Sequence, residues 1–329
     1  MSTYFKLSDY WDYFFENDYM DLFKNDLSQK RMCELFNIFV LNINIETSSF
    51  CNRKCNYCPL SYIDRKQILM SDEVWEKCIS ELQEIGYKGR ITFALFNEPL
   101  LDVTFPQKIE YVRKNLPDTL IACYSNGDYL TWDKLNEIEN SGLDWLLVTR
   151  HINGEEFSRE KCKIQLEEYI HELGLDDYVI SYREMNDNNC SFALKYRNLE
   201  LYIVVNNWNV TGVNRGGKVE SLNTPQIRSL PCAKAIRDFC ISYDGKIKPC
   251  CNIYFDEEAN FGTIENDGIL NAYFHNLRDF RLDMVKFGEK TGGCMYCGEP
   301  DTAKIETKDI RESIDFMGGG YGTSVIGLQ

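Results

Sequence analysis

Residues 39–58 read FVLNINIETSSFCNRKCNYC: an apolar, partly β-branched run over 39–46, a short polar break, then Cys51, Cys55 and Cys58. Such a run reads as a buried strand. The C-x3-C-x2-C spacing right after it puts three thiols on one loop at the strand's end. Thiolates are soft ligands that suit iron–sulfur centres and zinc alike. A tetrahedral zinc would need a fourth ligand, and the nearest histidine is His151.

Working outward, further strand-like runs follow: RITFALF (90–96), TLIACYS (119–125), DWLLVTR (144–150), DYVISYR (177–183) and LYIVVN (201–206). Helical periods lie between them. Ser71 caps a helix with Val74, Cys78, Leu82 and Ile85 on one face, stopped by Gly86. Thr131 caps another through Trp132, Leu135 and Ile138, closing near Gly142, and a third runs over 155–173 to Gly174. A weaker helical segment is expected over 184–199. Six strand–helix alternations predict an α/β fold, an open or closed barrel with helices outside a parallel sheet. The expected division is a helical extension over 1–37, the barrel over 38–207, a small metal-stapled lobe over 208–300 and a Gly-rich extension over 301–329. The extension is assigned helix because Tyr10, Trp11, Tyr13, Phe14, Phe15, Tyr19 and Phe23 require burial.

The chain has 329 residues, 36 basic against 51 acidic, for a net charge of −15. That balance argues against binding to phosphate backbones, so no nucleic-acid partner is expected. No apolar run is long enough for a membrane span, and the start lacks a signal-peptide pattern, which points to the cytoplasm. There, fourteen cysteines point to metal or catalysis rather than disulfides. A second set, Cys232, Cys250, Cys294 and Cys297, lies in a segment with little apolar content, and a zinc knuckle is its plain alternative. Of the rest, Cys78 and Cys123 fall on apolar faces, Cys33 and Cys162 read as small hydrophobes, and Cys190 sits in the weakly patterned 184–199 segment. Cys240 is either a replacement ligand or core, and Cys251 directly follows Cys250.

Together these features resemble the radical S-adenosylmethionine (radical SAM) superfamily. The resemblance implies an α/β fold with a partial (β/α)6 TIM-like barrel, and that Cys51, Cys55 and Cys58 hold three irons of a [4Fe-4S] cluster and leave the fourth open to SAM. Tyr57 fills the aromatic slot that packs near the adenine. Phe96-Asn97-Glu98-Pro99 stands where the family usually has Gly-Gly-Glu-Pro, which makes Asn97, Glu98 and Pro99 SAM-side residues. Ser125 and Asn126, in Ser-Asn-Gly, resemble the ribose-side Thr-Asn-Gly, and His151, in Arg-His-Ile-Asn-Gly, stands in the slot of Ser-Leu-Asp-Gly. Trp208, Asn214 and Arg215 resemble a family linker motif. Cys232, Cys250, Cys294 and Cys297 resemble the auxiliary lobe called twitch or, in its two-cluster form, SPASM; no cysteine follows Cys297, so one auxiliary [4Fe-4S] cluster is implied.

The implied reaction is hydrogen abstraction from an unactivated carbon by a 5′-deoxyadenosyl radical, fed by a flavodoxin- or ferredoxin-type electron donor. If the auxiliary cluster takes the second electron, the outcome is oxidation by a dehydrogenase. If Cys251 returns hydrogen, the outcome is epimerisation, which is placed slightly ahead. Fifty residues precede Cys51, too few for a typical peptide-recognition domain. A sugar-like or other small-molecule substrate is therefore favoured over a ribosomally made peptide. A zinc-stapled binding module without turnover is the alternative from another class.

Overall fold

The computed structural model describes residues 17, 19–152, 156–254, 261–286 and 288–299. After a single turn at Tyr19–Phe23, helix α1 (Gln29–Phe39) buries Leu35, Phe36 and Phe39 and delivers the chain to β1 (Asn42–Ile45). Helix and strand then alternate through α2 (Asp72–Ile85), β2 (Arg90–Phe93), α3 (Phe105–Asn115), β3 (Leu120–Ser125), α4 (Trp132–Asn140), β4 (Trp145–Thr149) and α5 (Arg159–Glu172). The caps fall where the sequence places them. Ser71 accepts the Val74 N–H at 3.3 Å, Thr131 accepts the Lys134 N–H at 3.2 Å, and α2 ends on Gly86 at φ 67°. The sequence reading leaves α3 unassigned; it carries Pro106 in its first turn and buries Ile109 and Val112.

Next come β5 (Ile180–Met185), β6 (Asn189–Tyr196) and β7 (Leu199–Asn206). The helix expected over 184–199 is absent, because β6 occupies most of that stretch. Cys190, Phe192, Leu194 and Tyr196 alternate onto the main core, a period of two, and Arg197-Asn198 make a tight turn into β7. As a consequence β5, expected to be parallel, pairs antiparallel with β6, and β7 returns parallel to β4.

Short helices α6 (Trp208–Thr211) and α7 (Lys234–Arg237) lead to β8 (Asp238–Ile241) and β9 (Ile247–Lys248). Helix α8 (Gly268–Asn271) and a π-turn over Ala272–Asn276 then lead to α9 (Arg278–Met284). The described strands form one sheet, in the order β5-β6-β7-β4-β3-β2-β1-β8-β9. From β7 to β8 they run parallel, the partial barrel, and the strand beyond β1 is β8 from the cysteine-rich segment. Residues 1–16 and the Gly-rich extension lie outside the described residues.

The strands sort their side chains by alternation. Ile43, Ile45, Ile91, Phe93, Ile121, Leu146, Val148, Ile203 and Phe239 pack under the helices. The opposite, inner face holds Ala122, Trp145, Leu147 and Val204 together with buried polar groups. There Asn42 Oδ1 accepts from Arg90 Nε at 2.9 Å and from Thr92 Oγ1 at 2.6 Å. A buried polar inner face supported by a dry outer one leaves the carboxyl ends of the strands to carry the chemistry.

Candidate active site

The segment from Glu46 to Cys58 leaves the carboxyl end of β1 and is fastened by a returning segment. Arg65 forks onto Glu46 with both contacts at 2.8 Å, Met70 N–H donates to Thr47 O at 2.8 Å, and Ile68 N–H donates to Ser49 Oγ at 2.8 Å. Within the loop, Cys58 N–H donates to Cys55 O at 2.9 Å, a tight turn that gathers two of the thiols. Cys51 Sγ receives the Arg53 N–H at 3.4 Å and the Asn126 side-chain amide at 3.7 Å. All three thiols are half-buried rather than sealed.

Glu98 ends the β2 turn deep in the protein. Its Oε1 accepts from Leu100 N at 3.0 Å and Ser125 Oγ at 2.7 Å, and its Oε2 accepts from Asn126 N at 2.7 Å. A carboxylate offers about four acceptor positions, so one remains for an outside donor. Burial pushes this carboxyl up to about 7, against the three donors that favour its charge. Asn97 donates to Ser48 Oγ at 3.2 Å, and its own Oδ1 is buried without a partner among the described residues, as is Thr47 Oγ1. Pro99 is buried in the turn that Glu98 caps. Where the family usually has two glycines, this chain places its positive φ one residue earlier, at Leu95 (116°). That is backbone strain at a strand end.

Ser125 and Asn126 lie on the other side of Glu98. Asn126 also reaches the cysteine loop, donating to Asn52 Oδ1 at 2.8 Å. Gly127, at φ 73°, has no room for a Cβ: one would collide with Val148 and with the Tyr169 hydroxyl, which itself donates to Gly127 O at 2.9 Å. His151 meets Tyr57 and Cys55. The Tyr57 hydroxyl hydrogen-bonds to His151 Nδ1, the rings stack at 5.8 Å, and Cys55 Sγ lies 4.0 Å from the same nitrogen. Burial, then the Arg53 charge, pushes His151 down to about 4, so its ring is neutral. Trp208 closes the other side of Tyr57 at 5.6 Å. Asn214 is buried and braces its own turn, accepting from Gly216 N at 3.3 Å, and Arg215 follows it at φ 52°.

The second set of cysteines converges as well. Cys232, Cys250, Cys294 and Cys297 line one pocket, together with Ala235, Ile253, Phe280 and Met284. Lys234 and Glu299, also on its wall, form a buried ion pair at 3.2 Å, and Asn252 donates to Glu299 Oε2 at 2.5 Å. Burial pushes the Cys294 thiol up to about 12, so this pocket holds thiolates only if a cation or cluster neutralises them. Among the described residues no three His, Cys, Asp or Glu side chains close on a single ion; the thiols ring a space instead. Soft sulfur donors around such a space, and three more on an open loop, fit iron–sulfur clusters. Cys251 is not among the residues lining the pocket, and its thiol donates to Asp238 Oδ2 at 3.5 Å. Cys240 is core on β8, accepting from Asn44 Nδ2 at 3.5 Å.

Sequence reasoning missed Asn52, Arg53, Asp128, Glu46 and Arg65. All are charged or amide side chains one to seven residues from a motif residue, and that nearness was the only signal they carried.

Residues 45–188 match the family model described as Radical SAM superfamily. That segment is similar to a radical SAM domain. The S-adenosyl-L-methionine-dependent 2-deoxy-scyllo-inosamine dehydrogenase of Niallia circulans is 22% identical over 268 residues, 81% of this chain and 95% of that protein. The PqqA peptide cyclase of Bradyrhizobium diazoefficiens is 26% identical over 189 residues, 54% of this chain and 41% of that one. Among solved structures, BtrN in complex with AdoMet and 2-DOIA superposes with a TM-score of 0.60 at 21% identity, covering 81% of this chain and 96% of that one. The fold shared with that structure therefore extends past the matched segment. No described helix is long and apolar enough to cross a membrane.

Proposed function

We propose that this protein is a radical SAM oxidoreductase that removes two electrons and two protons from a hydroxyl-bearing, sugar-like or aminocyclitol substrate. Cys51, Cys55 and Cys58 would hold the SAM-binding [4Fe-4S] cluster, and Cys232, Cys250, Cys294 and Cys297 one auxiliary [4Fe-4S] cluster in a twitch-like lobe. When bound, the clusters and SAM supply reductive cleavage to a hydrogen-abstracting radical and a sink for the second electron.

The chain's own residues do the rest. Glu98 offers its remaining acceptor position to the SAM ammonium, and the unpartnered Asn97 Oδ1 lies on the neighbouring residue. Ser125 and Asn126 fix Glu98, Tyr57 and His151 wall the adenine side, and Pro99 holds the turn. The observation that carries the reading is Asn126, which bonds Glu98 through its backbone and the cysteine loop through its side chain. The division at 37/38, 207/208 and 300/301, the flavodoxin- or ferredoxin-type electron donor and a cytoplasmic setting belong to the same proposal.

Similarity to a dehydrogenase over most of both chains favours oxidation. Epimerisation is the second reading, supported by Cys251, whose thiol meets Asp238 on the inner face of β8. There the thiol would give a hydrogen atom to the substrate radical and become a thiyl. Peptide maturation is a more distant reading. Turnover in deuterated water decides: oxidation gives a product two mass units lighter with no solvent deuterium, whereas epimerisation gives one deuterium at unchanged oxidation level. Two zincs in place of iron, with no SAM cleavage, would leave only the binding module.

A further inference from the structure

The cysteine loop carries its own cation, Arg53, between its first two thiols. That guanidinium forks onto Asp128, with Nε at 2.6 Å from Oδ2 and Nη2 at 2.5 Å from Oδ1. Asn52, also in the loop, donates to the same Oδ2 at 2.7 Å, and Arg150, at the end of β4, reaches Oδ1 at 3.3 Å. One carboxylate thus takes four donors from two separate parts of the chain, a geometry that a solvated surface pair does not keep.

Asp128 is itself fixed. Its N–H donates to Asn126 Oδ1 at 2.9 Å, and it follows Gly127, whose carbonyl takes the Tyr169 hydroxyl. The Arg150 guanidinium lies 4.3 Å over the Tyr169 ring and donates to Asn126 O at 3.2 Å. The carboxyl ends of β3 and β4 therefore form a rigid seat, and the loop is clipped into it by side chains other than cysteine.

We propose that Asp128 is a positioning residue that holds the Cys51–Cys58 loop in its metal-receiving shape before any metal arrives, acting through Arg53 and Asn52. The inference rests on reading the three cysteines as a cluster loop. It adds that the loop does not depend on iron for its order. Without the latch, the loop would have to be ordered by cluster insertion itself, and assembly would slow.

The test uses the iron-free full chain. Arg53 and Lys54 are trypsin sites inside the loop, and Lys54 is itself held, its Nζ donating to Leu60 O at 2.6 Å. In wild type, cleavage at 53 and 54 is expected to lag behind that at exposed lysines elsewhere. Asp128→Asn keeps the volume and loses the charge-assisted fork, so cleavage there should rise about tenfold. Anaerobic assembly should slow by a similar factor, followed by the electron-paramagnetic signal that changes when SAM is added. Asp133→Asn, which removes an exposed acid on α4, should change neither rate. If Asp128→Asn fails to fold, Arg53→Gln breaks the same fork from the loop side, with cleavage then read after Lys54 alone. Unchanged cleavage overturns the latch, and so does faster cleavage with unchanged assembly. If wild type itself assembles no SAM-sensitive cluster, the reading of the cysteines falls as well.

Discussion

The two sets of cysteines are built in opposite ways. The Cys51–Cys58 loop is half-open and held by charged and amide side chains at the ends of β1, β3 and β4. The Cys232–Cys297 pocket is walled by Phe280, Met284, Ile253 and Ala235, and its charged groups are tied within the wall, Lys234 to the Glu299 carboxylate and Arg228 to the Glu299 carbonyl. An open, polar mount suits a site that must admit a small cofactor and substrate. A mount with more buried thiols and apolar neighbours, as at Cys250 and Cys294, suits a site whose ligands are complete and which exchanges only electrons. Position in the fold decides which is possible: strand ends expose backbone donors, while the region around α7 and α9 can be packed shut.

Removing Cys294 and Cys297 together should break this contrast most severely. About half the iron should be lost and stability should fall by about 2–5 kcal/mol, the scale of losing a structural staple. 5′-Deoxyadenosine formation should persist without oxidised product, as measured by iron assay, thermal unfolding and mass spectrometry. Loss of SAM cleavage as well would mean that the two sites are not separable.

Gly127→Ala acts on the open side. A Cβ at positive φ, pressed on Val148 and Tyr169, should cost about 4 kcal/mol in chemical denaturation. It should also loosen the seat of Asp128, whereas Gly217→Ala, where no atom lies within 4 Å, should cost far less.

Glu98 gives the open side a pH signature. Its carboxyl is raised from 4.5 to about 7 by burial, so between those values the folded state holds a proton that the unfolded chain releases. Stability from this group is therefore present below about 4.5 and is lost as pH rises through about 7, by at most about 3 kcal/mol. Unfolding midpoints across that window should slope downward in wild type and flatten in Glu98→Gln. A slope unchanged by the substitution would assign it to another group.

Leu95→Gly should give the smallest effect, a gain of about 1 kcal/mol, as relief of the φ 116° strain outweighs the added chain entropy. A loss would show that the Leu95 side chain contributes more than its backbone costs.

The barrel was legible because its signals are local. Ser71, Thr131 and Gly86 mark helix ends whatever surrounds them, and the outward Ile and Val of β1 to β4 alternate cleanly. The stretch 184–199 was misread because MNDNNCSF opens with turn-formers that hide the two-residue period of Cys190, Phe192 and Leu194. That β8 would flank β1 was not readable, since pairing partners far apart in sequence leave no local trace. At the site, cysteine spacing and Glu98 were readable as motifs. Asp128 and Arg53 were not, because a surface-type acid and base reveal their role only when the fold brings them within 2.6 Å.

The most direct test gives anaerobically reconstituted protein SAM and dithionite, beside a variant with Cys51, Cys55 and Cys58 all replaced by alanine. Wild type should release methionine and 5′-deoxyadenosine, and the variant neither, while keeping the iron of the second cavity. Equal amounts from both proteins, or none from wild type that carries iron and labile sulfide, would contradict the assignment of the three thiols as the SAM-cleaving centre.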